Sequence, residues 1–154
     1  MDGIRDIRNI IKIEVLQSIQ DEFAEATGIS FVSVDYRGHP ITSMSGFTDF
    51  CKRMRSDETF RQRCFRCDAH GGLNATITGK PYFYHCHSSL VDFAVPLFLK
   101  GSFMGAVLCG QVKIPPSDEA EAGLEEITKP TTEWHDDPDT VADYEKINVV
   151  PFSK

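Results

Sequence analysis

The sequence is poor in tryptophan, in long apolar runs and in positive charge. Only 1 Trp occurs among 154 residues. No apolar run approaches the ~18 residues that cross a bilayer, so no membrane partner is expected. Lys and Arg number 16 against 23 Asp and Glu, a formal net charge of −7. That balance excludes the basic surface of a protein that grips nucleic acid directly. The one basic cluster, Lys52 to Arg66, is interrupted by Asp57 and Glu58 and reads as a solvated helix face. Met1-Asp2-Gly3 lacks the basic–apolar–small order of a signal peptide, which points to a cytoplasmic protein. There is no internal repeat, helix-turn-helix pattern or kinase signature. Gly71-Gly72 is too short for a phosphate loop. Any output domain or partner protein therefore lies outside this chain.

What is present suits one globular unit with its own core: 41% hydrophobic and 25% charged residues. Five cysteines are many for a reducing compartment, where structural disulfides are rare. They are small buried residues, metal ligands or redox thiols.

Apolar residues at Ile4, Ile7, Ile11, Val15, Ile19 and Phe23 predict a helix over residues 4–27, closed by Gly28. A helix this long can also pair with a second copy, giving a homodimer. Residues 29–35 and 40–43, joined by the Tyr36–His39 turn, predict a hairpin. Thr48 caps a short helix through Met54, and Ser56 caps a longer one ending at Gly79. On that second helix Phe60, Cys64, Cys67 and Ile77 share one side. Residues 82–86, 90–99 and 103–112 predict three more strands, with bulges or close approaches at Gly105 and Gly110. Residues 117–127 read as a weak acidic helix and 140–146 as a short one. The fold class is α+β, with a five-stranded antiparallel sheet, helices packed on one face and a long N-terminal helix. Three parts result: helix 1–28, core 29–114 and an acidic tail 115–154.

Cys51, Cys64, Cys67 and Cys86 are spaced C-x12-C-x2-C-x18-C. Cys64 and Cys67 lie three apart on a helix, a spacing that suits zinc or an iron–sulfur centre. The second C-x2-C or histidine pair of a structural zinc site is missing. In a regular strand, Cys86 would face one way and His85 and His87 the other. The open readings are pocket-lining cysteines, a metal or iron–sulfur redox sensor, a redox thiol pair and a Cys–His nucleophile. The last lacks any local signature, so no enzyme is expected. Asp92 interrupts an apolar strand and must face solvent or a partner. Gln111 is a second polar group in an apolar setting.

In order along the chain stand Phe50-Cys51, Arg63-Cys64 ahead of Cys67-Asp68-Ala69-His70-Gly71-Gly72, and Thr78-Gly79-Lys80-Pro81 before Tyr84-His85-Cys86-His87. Leu90 to Pro96 and Gly105 to Val112 complete the set. Together they resemble the PocR sensory domain family, over about residues 16–112. The resemblance implies a PAS-like sensory input for signal transduction or transcription regulation. It also implies a ligand such as propanediol or another short diol or alcohol. The family's recurrent cysteines look like Cys51, Cys64 and Cys86, and Cys67 departs from the pattern. The candidate ligand-binding set is Phe50, Cys51, Cys64, Asp68, Tyr84, Cys86, His87, Asp92, Cys109 and Gln111. The candidate metal set is Cys51, Cys64, Cys67 and Cys86.

Overall fold

The computed structural model describes residues 6–152. Its elements run α1 (Ile13–Thr27), β1 (Ser30–Val34), α2 (Asp49–Met54), α3 (Glu58–Thr78), β2 (Tyr82–His85), β3 (Val91–Leu99), β4 (Ser102–Val112), α4 (Pro116–Ala122), β5 (Glu125–Glu126) and α5 (Pro138–Glu145). No helix among the described residues is long and apolar enough to cross a membrane.

The described strands form one five-stranded sheet in the order β1-β4-β3-β2-β5. It is mixed rather than purely antiparallel, because β5 pairs parallel to β2. The fifth strand is also not the expected one. Residues 40–43 make only an isolated bridge, Val34 to Pro40. Proline has no N–H to donate, and the Thr42 hydroxyl takes the Ser33 N–H at 2.9 Å in place of a backbone carbonyl. β5 comes instead from the stretch read as acidic helix, after Gly123 ends α4 at φ +57°.

The predicted N-terminal helix is interrupted. A 3-10 turn over Ile7–Asn9 precedes α1, and residues 4–5 of the expected 4–27 helix lie outside the described residues. Val15, Ile19 and Phe23 are exposed, whereas Gln20 and Ala24 are buried. The apolar stripe read from the sequence is only partly packed: Ile7 is buried, and Ile19 and Phe23 line an open groove against the sheet, with the Phe23 and Phe31 rings 6.2 Å apart. Gln20 draws α1 onto the β1 region with polar contacts. Its amide donates to Ser43 O and Ser45 Oγ, and its carbonyl accepts from Ser33 and Thr42 hydroxyls.

Helices lie on both sheet faces, not one, although α1 packs mainly on β1 and leaves an apolar groove beside it. α1 lies over the face that carries Phe31, Ser33, Phe93, Val95, Val107 and Cys109. α3 packs on the opposite face, where Cys67 and Ala75 meet Val32, Val34, Tyr84, Ala94, Ala106 and Leu108 in the main core. Asp57, not Ser56, caps α3 by accepting the Phe60 N–H at 2.7 Å. Ile77 points to solvent, away from Phe60, Cys64 and Cys67. In the C-terminal stretch, Trp134 and Ile147 join Phe50, Phe60 and Leu90 in a second core cluster.

Two glycines are required where the backbone crowds. A Cβ at Gly105 (φ +145°) would sit 2.1 Å from Val34 O, and one at Gly110 (φ +128°) 2.6 Å from Val91 O. Gly110 opposes Asp92 beside a register shift that leaves Gln111 as the extra residue of β4, which is the bulge the sequence suggested.

Candidate functional site

Five segments converge on one small enclosed void on the α3 side of the sheet. Thr48 starts α2 by accepting the Cys51 N–H at 3.1 Å, which fixes Cys51 and, one turn on, Arg55. α3 presents Phe60, Cys64, Cys67 and Asp68. The β2–β3 turn supplies Cys86, His87, Ser88 and Leu90. Asp92 and Gln111 come from β3 and β4. The void measures about 20 Å³, room for about one water.

Seven of the ten expected ligand residues line it: Cys51, Cys64, Asp68, Cys86, His87, Asp92 and Gln111. Three do not. Phe50 is buried in the second core cluster against Trp134 and Tyr144. Tyr84 is buried in the main core, over Gly71. Cys109 lies on the other face of the sheet, toward α1; strict alternation would put it on the side of Gln111, and the β4 bulge at Gln111 (φ +56°) separates the two. Cys86 and His87 both reach the void because β2 stops at His85 and a turn follows. The strict alternation expected of a strand therefore does not apply there. His85 points elsewhere, its Nε2 3.1 Å from Glu119.

Arg55 is the main residue that sequence reasoning missed. It sits in the basic cluster read as solvated, yet its side chain is only 11% exposed. It donates to Asp68 Oδ2 at 3.0 Å. The signal was Asp68, an acid one residue from Cys67 on an inward helix face, which needs a cationic partner. Phe60, Ser88 and Leu90 also line the void. Phe60 packs on the His87 ring, centroids 4.4 Å apart.

Burial dominates the electrostatics. It pushes the Cys51 and Cys67 thiols up to about 12, and those of Cys64 and Cys86 well above their ordinary value. Burial, helped by the charges of Arg63 and Arg55, lowers His87 to about 4. Burial and the neighbouring Asp68 raise Asp92 to about 7, against the stabilising Gln111 N–H at 2.8 Å. Burial also lifts Asp68, with Arg55 opposing it. At neutral pH the site thus presents neutral thiols, a neutral imidazole, one ion pair and one carboxyl that titrates.

Among the described residues no three His, Cys, Asp or Glu side chains are grouped so as to hold a metal ion. The nucleophile reading lacks an activated thiol, since every thiol of the site is held protonated.

Three buried side-chain atoms have no hydrogen-bond partner among the described residues: Arg55 Nη1, Tyr84 Oη and His85 Nδ1. Of these only Arg55 lines the void, together with Asp92 and Gln111, and a buried guanidinium N–H without an acceptor is costly.

A helix-flanked sheet with an enclosed, polar-spotted pocket defines the class: a small α+β pocket domain. The family described as "Sensory domain found in PocR" matches residues 9–154. The chain belongs to that PocR sensory domain family, and it is thus a sensory domain of the kind found in a regulatory protein. It is similar to the Regulatory protein PocR of Salmonella typhimurium, 35% identical over 141 residues, 92% of this chain and 45% of that protein. The chain thus spans less than half the length of that relative. No solved structure matches it.

Proposed function

We propose that this domain is a PAS-like sensory input that binds a short alcohol or diol between α3 and the sheet. The observation that carries the reading is the unpartnered Arg55 Nη1 at a void shared with Asp92 and Gln111. A hydroxyl both accepts and donates. Its oxygen can take the Arg55 N–H while its proton goes to Asp92. Thiols, Phe60 and Leu90 supply the apolar remainder of the wall. An anion is disfavoured inside, because Asp68 and Asp92 already crowd the space.

The void as it stands is too small for such a ligand. Binding therefore requires α2 and the 86–90 turn to part from α3, and a ligand that binds only the opened form shifts the population toward it. The signal leaves through α1, whose exposed Val15, Ile19 and Phe23 supply a surface for a second copy of this chain. The ligand has few atoms, so affinity is bounded at about −1.5 kcal/mol per heavy atom.

The test is calorimetry and thermal shift against short alcohols, diols and aldehydes, with Arg55→Lys and Asp92→Asn as controls. The expected result is saturable binding by at least one hydroxyl compound, weakened by both substitutions. Binding of none, or binding indifferent to both, overturns the reading.

A further inference from the structure

A second concavity lies on the outer side of the same helix. It is a cleft of about 560 Å³ between α3 and residues 127–133, within the size range of small-molecule sites. Apart from Cys67, its lining is distinct from that of the inner void.

We propose that this cleft binds a small oxyanion, a carboxylate or a phosphate ester. Arg63, Arg66 and His70 enter it from α3, and Lys129 from the facing segment. The spacing of three, four and seven residues puts the α3 groups on one side of the helix. The only acid in the lining among the described residues is Glu133. Its carboxylate is 3.7 Å from Arg63 and its side chain is 73% exposed, so it is a weak counterion. The chain as a whole carries −7, yet here cations gather in a hollow, where walls of low dielectric focus their field.

The arrangement is more than loose surface charge. Arg63 Nη1 donates to Thr131 Oγ1 at 3.0 Å, and Thr131 is buried. That bond holds the guanidinium across the cleft, leaving other N–H groups of its fork for an oxyanion. The Thr131 hydroxyl also meets His87 Nδ1 at 2.8 Å. An occupant on Arg63 would therefore be felt at the inner void through a single shared hydroxyl.

The inference does not rest on the alcohol-sensing reading, and its test uses other probes. Inorganic phosphate and propionate are titrated separately into the domain at low ionic strength by calorimetry. The comparison uses Arg66→Glu, Lys129→Glu and Glu133→Gln, all at exposed positions. The expected result is binding of at least one probe at about 0.1–10 mM. Each charge reversal should weaken it about tenfold, and Glu133→Gln should strengthen it. Phosphate binding without propionate assigns a phosphate ester, and the reverse assigns a carboxylate. The absence of binding by either probe overturns the proposal, as does binding that both charge reversals leave unchanged. An acidic peptide that binds the cleft where neither small anion does overturns it in favour of a protein contact.

Discussion

Cys64 Sγ lies 3.2 Å from His87 Nε2, and the pair is neutral. Burial holds the thiol well above its ordinary value and takes the imidazole down to about 4. The consistent arrangement has S–H donating to Nε2 and Nδ1–H donating to Thr131 Oγ1, 2.8 Å away. A thiolate–imidazolium pair would need two opposite shifts. Cys64 is therefore a donor in the pocket wall and not an activated nucleophile. Alkylation by iodoacetamide at neutral pH should run at least ~10-fold slower at Cys64 in the folded domain than at a free cysteine. Mass-spectrometric mapping of the modified site checks this. A fast-reacting Cys64 would contradict the neutral pairing.

Asp92 and His87 should pull stability in opposite directions with pH. With Asp92 raised to about 7, the folded state keeps a proton the unfolded chain has lost, so its contribution falls as pH rises from about 4 to 7. With His87 lowered to about 4, the unfolded chain holds the extra proton, so its contribution is lost as pH falls from about 6.5 to 4. A tenfold difference in proton affinity between the folded and unfolded chain corresponds to about 1.4 kcal/mol. Asp92→Asn should leave stability rising with pH across that range, and His87→Gln should leave it falling. Urea midpoints over a pH series separate the two. Equal slopes in both variants would refute the assignment.

The Arg55–Asp68 pair, at 3.0 Å and nearly enclosed, should be costly to break and cheap to replace. Arg55→Met strands a buried carboxylate, an expected loss of about 3 kcal/mol. Adding Asp68→Leu to that variant should recover most of the loss. Chemical denaturation of the single and double variants gives the comparison. A double variant as unstable as the single one would mean that the pair is not the cause.

Gly71→Ala should destabilise through Tyr84. The added Cβ would fall 2.4 Å from Tyr84 Cε1, and Tyr84 is fully buried. Overpacking of this kind costs about 1–3 kcal/mol. Tyr84→Leu in the same chain should relieve part of it, and thermal unfolding of the two variants reads the relief.

Gln20→Leu should loosen α1. The substitution removes bonds to Ser33, Ser43, Thr42 and Ser45 and leaves the buried Ser33 hydroxyl without its partner, at about 2 kcal/mol or more. Hydrogen exchange should accelerate in α1 before it does in β3 and β4. Uniform acceleration would place Gln20 in the global core instead.

Local chemistry determined much of this protein from sequence alone. Thr48 and Gly79 mark helix ends because caps satisfy terminal backbone groups wherever the chain goes. Residues 91–99 and 102–112 are long apolar runs around the Lys100-Gly101 turn, a pairing fixed by neighbours in the chain. The Cys64–Cys67 spacing, read as a metal signal, and the odd polarity of Asp92 and Gln111 fall on residues that line the inner void, and the ordered landmarks marked the family. Tertiary structure decided the rest. How deeply Gln20 and the neighbouring Ile19 and Phe23 of α1 pack depends on what the sheet offers. The β1 region offers hydroxyls from Ser33, Thr42 and Ser45. The edge position of β5 and the place of Cys109 across the sheet are set by pairings distant in sequence. The partnership of Arg55 with Asp68 and the cation-lined outer cleft likewise arise from segments brought together only by folding. Charge and periodicity report what a residue is and which neighbours share its side of an element. Which element then covers that side is settled by the free energy of packing the whole chain.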